Sequence, residues 1–425
     1  MPQASVCQLL GQGLLTGVIS MKRNLLSLAV AAVCGLAGTA QAQISDGIVK
    51  IGVLNDMSGL YSDITGQGSL TAAKMAVEDY VKATNSKLKI EVVGGDHQNK
   101  PDIGTNVART WYDNDKVDMI ADVPTSSVGL AVAKISADKG KLHVNSGSAT
   151  ADLTGKACNA NTIHWVYDTW MLANGTGKAV VKNGGDTWFF LTADYSFGQA
   201  LERDTEEVIV KNGGKVVGKV RTPFPTQDFS SFLLQAQASK AKIIGLANAG
   251  GDTTNSIKQA FEFGITKAGQ NLAGLLVFLP DVHALNLERA QGLMLTETFY
   301  WDLNDQTRGW SKRFAAANNG KYPSMVQAGV YSSVIHYLKA VEAAKTDDGT
   351  KVAAKMKELP TDDILFGKGT VRADGRKTHP AYLFQVKKPS ESKGPYDYYK
   401  LLATIPAEEA FRPLANSDCP LVAKK

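Results

Sequence analysis

The sequence predicts an α/β protein made of two doubly wound lobes, and three observations carry that expectation. Short β-branched runs alternate with segments of helical period along most of the 425 residues. The alternation runs once from residue 49 to residue 150 and restarts after Asp168 with similar length, which fits two open sheets better than one closed barrel. Three strands of the first run end in hydroxyl-rich turns, and the carboxyl ends of parallel strands are where such sheets bind ligands.

The first run opens with Val49-Lys50-Ile51-Gly52-Val53-Leu54, alternating as a strand does, and breaks into Asn55-Asp56-Met57-Ser58-Gly59. A helix is expected over 69–81, where Ala72, Ala73, Met75, Ala76 and Tyr80 share a face. A strand (88–93), a polar turn and a helix opened by Pro101 follow. Next come strand 119–121, a turn with Thr125, Ser126 and Ser127, an Ala/Val helix, strand 142–144 and the turn Asn145-Ser146-Gly147-Ser148-Ala149-Thr150. One hydroxyl-rich loop would mean only a helix cap. Three at one sheet edge indicate a binding site whose donors suit a carboxylate. The first turn has neither the three-glycine dinucleotide pattern nor a Gly-Lys-Ser/Thr phosphate loop, so a small polar ligand is expected rather than a nucleotide.

The second run reads as helix 168–181, strand 187–192, helix 197–211 and strand 215–220, continuing through 229–238, 243–247, 253–263 and 272–278. Asn183-Gly184-Gly185 and Asn212-Gly213-Gly214 are glycine helix stops. Helices over 310–318, 326–345 and 352–359 follow, the last ended by Pro360, and the tail contains strand-like stretches at 382–386 and 398–402.

Met21-Lys22-Arg23, an apolar stretch over 25–36 and Ala40-Gln41-Ala42 have the layout of a secretory signal peptide cleaved near Ala42, with residues 1–20 an over-called start. The apolar stretch is shorter than a membrane span. Val33 before Cys34 fits a lipid-modified cysteine poorly, so a free periplasmic protein is expected. Cleavage would remove two bases and no acid, taking the formal net charge from +5 to +3, which gives no reason to expect nucleic acid. Two cysteines would remain, Cys158 and Cys419, a candidate disulfide in an oxidising compartment.

A search for catalytic chemistry finds no Gly-x-Ser-x-Gly elbow, no helical histidine pair and no closely spaced cysteines, so no cofactor, metal or enzymatic activity is expected. Asp96/His97 and Asp281/His283 could form acid–base pairs in an exported hydrolase, yet neither has an evident nucleophile. A turn carboxylate bonded to backbone is the plainer account of Asp96.

At this point the residues become familiar. Val-Lys-Ile-Gly-Val-Leu-Asn-Asp-Met-Ser-Gly from Val49, the Ser146–Thr150 turn with Asp152-Leu153-Thr154, and Asp194-Tyr195-Ser196-Phe197-Gly198 together resemble the solute-binding proteins of branched-chain amino-acid ABC importers. The resemblance covers nearly all of residues 46–425. It implies a type I periplasmic-binding fold: two Rossmann-like lobes joined by three crossings near 163–167, 295–299 and 378–383. The first lobe would be 44–165 plus 298–378, the second 166–297 plus 379–425. It implies a monomer that captures a small carboxylate-bearing solute, with a hydrophobic amino acid as the lead, and delivers it to an ABC permease of the inner membrane. Thr125, Ser126, Ser148 and the backbone of Ala149 would hold the carboxylate. Ser58 and Tyr61 lie on the opening turn, Phe197 and Asn248 would contribute from the second lobe, and Asp281 would pair with an ammonium.

The departures from that pattern matter. Ala149 replaces a threonine usual in the family, Phe197 replaces a tyrosine, and the aromatic beside Asn248 is missing. Fewer hydroxyls leave fewer partners for an α-amino acid head group. Tyr61, Trp165 and Tyr167 could instead line an apolar pocket, which keeps aromatic and aliphatic carboxylic acids as the alternative ligands. A regulatory ligand sensor would use the same fold.

Overall fold

A computed structural model describes residues 44–422, so the expected export signal at 1–42 lies outside the described residues. The first sheet is parallel, with order β2-β1-β3-β4-β5, where β1 is Val49–Asn55, β2 Ile90–Asp96, β3 Met119–Asp122, β4 Leu142–Asn145 and β5 Thr162–His164. Its helices are α1 (Gly66–Thr84), α2 (Pro101–Asp113) and α3 (Ser126–Asp138). The alternation of β1 separates two cores. Val49, Ile51 and Val53 meet Ala72, Ala76 and Tyr80 of α1, while Leu54 joins Trp111 of α2 and Val128 of α3 on the other face. Gly52 is glycine because Trp111 lies against it: a Cβ there would sit 2.5 Å from the indole ring.

The second sheet, also parallel, has order β7-β6-β8-β9 from Thr187–Ala193 (β6), Lys215–Thr222 (β7), Ile243–Ala247 (β8) and Asn271–Gly274 (β9). Helices α4 (Ser196–Lys211), α5 (Ser230–Ala238) and α6 (Gly251–Glu262) alternate with its strands, and α7 (Leu279–Leu285) follows β9. Two antiparallel sheets complete the fold: β10 (Met294–Glu297) with β14 (Ala381–Val386) and β15 (Tyr399–Ile405), and β11 (Thr361–Asp363) with β12 (Gly367–Val371) and β13 (Lys377–Thr378). Among the described residues no helix is long and apolar enough to cross a membrane.

Two elements differ from expectation. The helix expected over 168–181 is interrupted by a π-helical turn, Ala173–Gly177. There Gly175 lies against Thr296, whose hydroxyl would be 2.3 Å from an added Cβ. The strand expected over 272–278 stops at Gly274, and the residues after it turn toward the opposing sheet.

The tail does not stay with the second sheet, where the expected boundary at 379–425 would keep it. β14 and β15 pair with β10, but Cys419 is bonded to Cys158 in the loop between β4 and β5, with Cα atoms 5.6 Å apart. Between them Phe411 lies under the Arg376 guanidinium at 4.5 Å. Arg412 reaches Glu207 of α4 at 3.1 Å while its carbonyl accepts from Arg372 at 2.8 Å. The tail is thus a strap touching elements of both sheets.

His143 on β4 is fully buried, with no partner for either ring nitrogen among the described residues, and burial holds its imidazole down at about 3. An unfolded histidine takes a proton near pH ~6.5. The stability present above that pH is therefore lost progressively as pH falls toward the folded value. His143→Leu removes this linkage. In chemical unfolding at stepped pH between about 6 and 4, the variant should lose ~1.4 kcal/mol less per pH unit than the wild type. Parallel curves would rule the linkage out.

Candidate ligand-binding cleft

The carboxyl edge of the first sheet is built from polar strand ends that staple the turns beyond them. The Asn55 amide donates to the Gly66 carbonyl at 3.0 Å and to Asp122 Oδ2 at 3.1 Å. The Asn145 amide donates to the Ser148 carbonyl at 2.8 Å and its oxygen accepts from the Ser148 N–H at 3.1 Å. Asp56 does most for the site. Its carboxylate accepts from the Gly59 N–H at 2.7 Å, the Tyr61 N–H at 2.8 Å and the Asn99 amide at 2.6 Å, fixing the turn that presents Tyr61. Beyond β3 the backbone is strained: Asp122 and the β-branched Val123 have φ of 79° and 56°.

The carboxyl edges of the two parallel sheets face each other across a narrow cleft with little free space. Tyr61, Ala149 and Tyr167 line it from one side and Tyr195, Phe197 and Phe278 from the other, and no charged side chain is among its walls. The two sides touch. The Tyr61 and Tyr195 hydroxyls are 2.6 Å apart, and Phe224 stacks on Tyr195 at 4.2 Å and on Tyr61 at 5.9 Å between ring centres. The Gly251 N–H donates to the Leu60 carbonyl at 3.3 Å. Gly250 (φ 55°) is where the approach is tightest: a Cβ would lie 2.7 Å from the Leu60 oxygen and 2.9 Å from the Tyr61 ring.

Of the residues singled out in the sequence, Tyr61, Ala149 and Phe197 are brought together in this cleft. Others are engaged elsewhere. Ser58 is exposed and donates to Asp96 at 2.8 Å. The Thr125 hydroxyl donates to Asn99 at 2.5 Å, and that of Ser148 to the Val123 carbonyl at 2.5 Å. Asn248 is tied to Thr253 at 2.7 Å within the turn into α6. Ser126, at the first position of α3, accepts from the Thr150 N–H at 3.2 Å, and among the described residues its own hydrogen has no acceptor. The buried Ala149 N–H likewise has no acceptor among them.

Asp281 is not a wall of the cleft. Its carboxyl accepts from the Phe278 N–H at 2.9 Å and caps α7, and burial pushes it up to about 7. Trp165 turns away as well, donating to Ser332 at 2.8 Å under the Lys377 ammonium. Tyr167 stays in the cleft, its hydroxyl donating to the Gly147 carbonyl at 2.6 Å. The sequence reading missed Tyr195, Phe224 and Phe278 as site residues. Tyr195 was within reach, because it stands in the quoted Asp194–Gly198 motif. Phe224, in a Pro-Phe-Pro loop, carries no periodic signal.

The sequence pattern of the periplasmic binding protein family matches residues 48–394. The chain belongs to the periplasmic binding protein family. A solved periplasmic binding protein from Burkholderia mallei is 52% identical, with a TM-score of 0.87 over 89% of this chain and 100% of that one. A branched chain amino acid ABC transporter periplasmic ligand-binding protein from Burkholderia xenovorans is 39% identical, with a TM-score of 0.78 over 88% of this chain and 100% of that one. A more distant solute-binding protein of an ABC transporter from R. palustris, solved with benzoate, is 21% identical and shares the fold, with a TM-score of 0.74 over 85% of this chain and 97% of that one. This periplasmic binding protein is accordingly a solute-binding component of an ABC transporter.

The cap role of Asp281 is open to measurement in this binding protein. Asp281→Ala should lower unfolding stability by ~1–3 kcal/mol, the cost of leaving the buried Phe278 N–H unpaired. Leucine should give no heat of binding by calorimetry with the variant or the wild type. Leucine binding by the wild type that Asp281→Ala abolishes would make Asp281 an ammonium partner instead.

Proposed function

We propose that the cleft captures a small carboxylic acid with an apolar aromatic or aliphatic body. The observation that carries this reading is a cleft with aromatic and aliphatic walls and no carboxylate facing it, beside two buried donors lacking protein acceptors, Ser126 Oγ and the Ala149 N–H. Buried donors without partners are rare, and at the amino end of a helix they suit an anion. An α-amino acid would bring an ammonium with nothing opposite it, at a cost of several kcal/mol on the order of an unpaired buried charge. The benzoate bound by the R. palustris relative is a ligand of this chemistry. The second reading is a branched-chain amino acid, favoured by the name of the 39% identical B. xenovorans relative.

In this proposal the lobes are 44–165 plus 298–378 and 166–297 plus the remainder up to the strap, with hinges at 163–167, 295–299 and 378–383. The monomer closes on the acid, and the closed form is delivered to the permease. The contacts of Leu60 and Tyr61 with Gly250 and Gly251 belong to that closed form.

A thermal-shift screen of residues 43–425 tests the ligand. Benzoate, 4-hydroxybenzoate or isovalerate at a hundred times its dissociation constant should add ~2.7 kcal/mol and raise the melting temperature, with leucine and valine inert. A shift from leucine or valine alone would reverse the assignment. Gly250→Ala should weaken binding of whichever acid shifts the wild type by at least about tenfold, because the methyl group opposes closure. Calorimetric titration reads that change, and an unchanged affinity would remove Gly250 from the closing contact.

A further inference from the structure

The hydroxyls of Tyr61 and Tyr195 come from opposite lobes, both residues line the cleft, and their oxygens are 2.6 Å apart. Two phenols in contact share one hydrogen: one O–H donates to the other oxygen, and the second O–H remains. Among the described residues that second hydrogen has no acceptor, since neither hydroxyl makes another hydrogen bond. Burial raises both pKa values, with the Tyr195 phenol adding to the rise at Tyr61 and the Asp252 charge adding to it at Tyr195, so the pair stays protonated and keeps its donor. The surroundings hold it in place. Asp56 fixes the Tyr61 backbone, and Phe224 covers both rings. The Phe224 loop is itself tied down by Asp252, which accepts from the Thr226 N–H at 3.0 Å.

We propose that Tyr61 and Tyr195 act together as one two-lobe donor that reads an oxygen of the bound acid, so that the same pair seals the lobes and selects a ligand carrying an acceptor there. This rests on the acid reading above. The pair is partly buried, and a ligand that displaces water from the cleft must supply an acceptor for the spare O–H or leave it unpaired. An apolar molecule of the same shape would leave the O–H unpaired and would be rejected. Because the two hydroxyls meet only when the lobes do, recognition of that oxygen by the pair and closure occur together.

A double-mutant cycle separates this from a latch that merely joins the lobes. Phenylalanine keeps both rings and the Phe224 stack, and the unliganded melting temperature of each variant checks its fold. The affinities of Y61F, Y195F and the double variant are measured by calorimetry with benzoate, 4-hydroxybenzoate and isovalerate. If the pair reads a ligand oxygen, each single variant keeps one O–H that can still serve the ligand. The singles should then lose about threefold to tenfold, and the double variant about tenfold more than either. If the hydroxyls only bond each other, either substitution breaks the same bond, and a double variant no weaker than the singles overturns the proposal. Wild-type protein that binds none of the three acids would instead overturn the acid reading, and this proposal with it.

Discussion

The Asp56 carboxylate is the interaction on which the rest of the site depends. It gathers the N–H groups of Gly59 and Tyr61 and the amide of Asn99 into one turn. The turn fits only because residue 59 is glycine: a Cβ there would lie 2.7 Å from both carboxylate oxygens. A charged acceptor with three short donors is stronger than three neutral bonds, so the loop leaving β1 is held rather than left to sample positions. That fixed loop puts Leu60 and Tyr61 against the second lobe. Asn99 passes the order on, since its oxygen accepts from Thr125 at the entry to α3.

A division of labour follows among the polar side chains around the cleft. Most hydroxyls and amides at the sheet edges are taken up within the turns: Ser148 donates to a backbone carbonyl, Thr125 to the Asn99 side chain, and Asn248 accepts from Thr253. Among the described residues, Ser126, the Ala149 N–H and the phenol pair keep a hydrogen for a ligand. The acids nearby follow the same logic. Asp281 caps a helix, Asp252 holds the Phe224 loop, and burial raises both to about 7. Their carboxyls build the walls from behind.

The sequence made the α/β alternation, the two sheets and the carboxyl-edge turns legible, because periodicity and glycine stops are local signals. It did not reveal which way a turn hydroxyl points. Ser148 and Ala149 are neighbours, yet one turns into the lobe and the other lines the cleft, a difference decided by where Val123 places its carbonyl. Trp165 and Tyr167 share strand parity, but β5 ends at His164 and the chain turns between them, so parity fails. The role of Asp281 was readable in principle. Phe278-Leu279-Pro280-Asp281 has a proline in the first helical turn and an acid three residues after the cap, placed to accept from the cap N–H as the return half of a capping box does. Family resemblance drew attention to its charge instead.

The strap has a consequence for how the molecule is made. Cys158 lies in the loop between β4 and β5, and its partner comes 261 residues later, beyond every strand of the second sheet. As the chain is made, the thiol of Cys158 therefore precedes the residue it must oxidise with by the whole of the second sheet. The covalent bond is a late stitch, which can close only once the strap exists and lies against the loop of the first sheet.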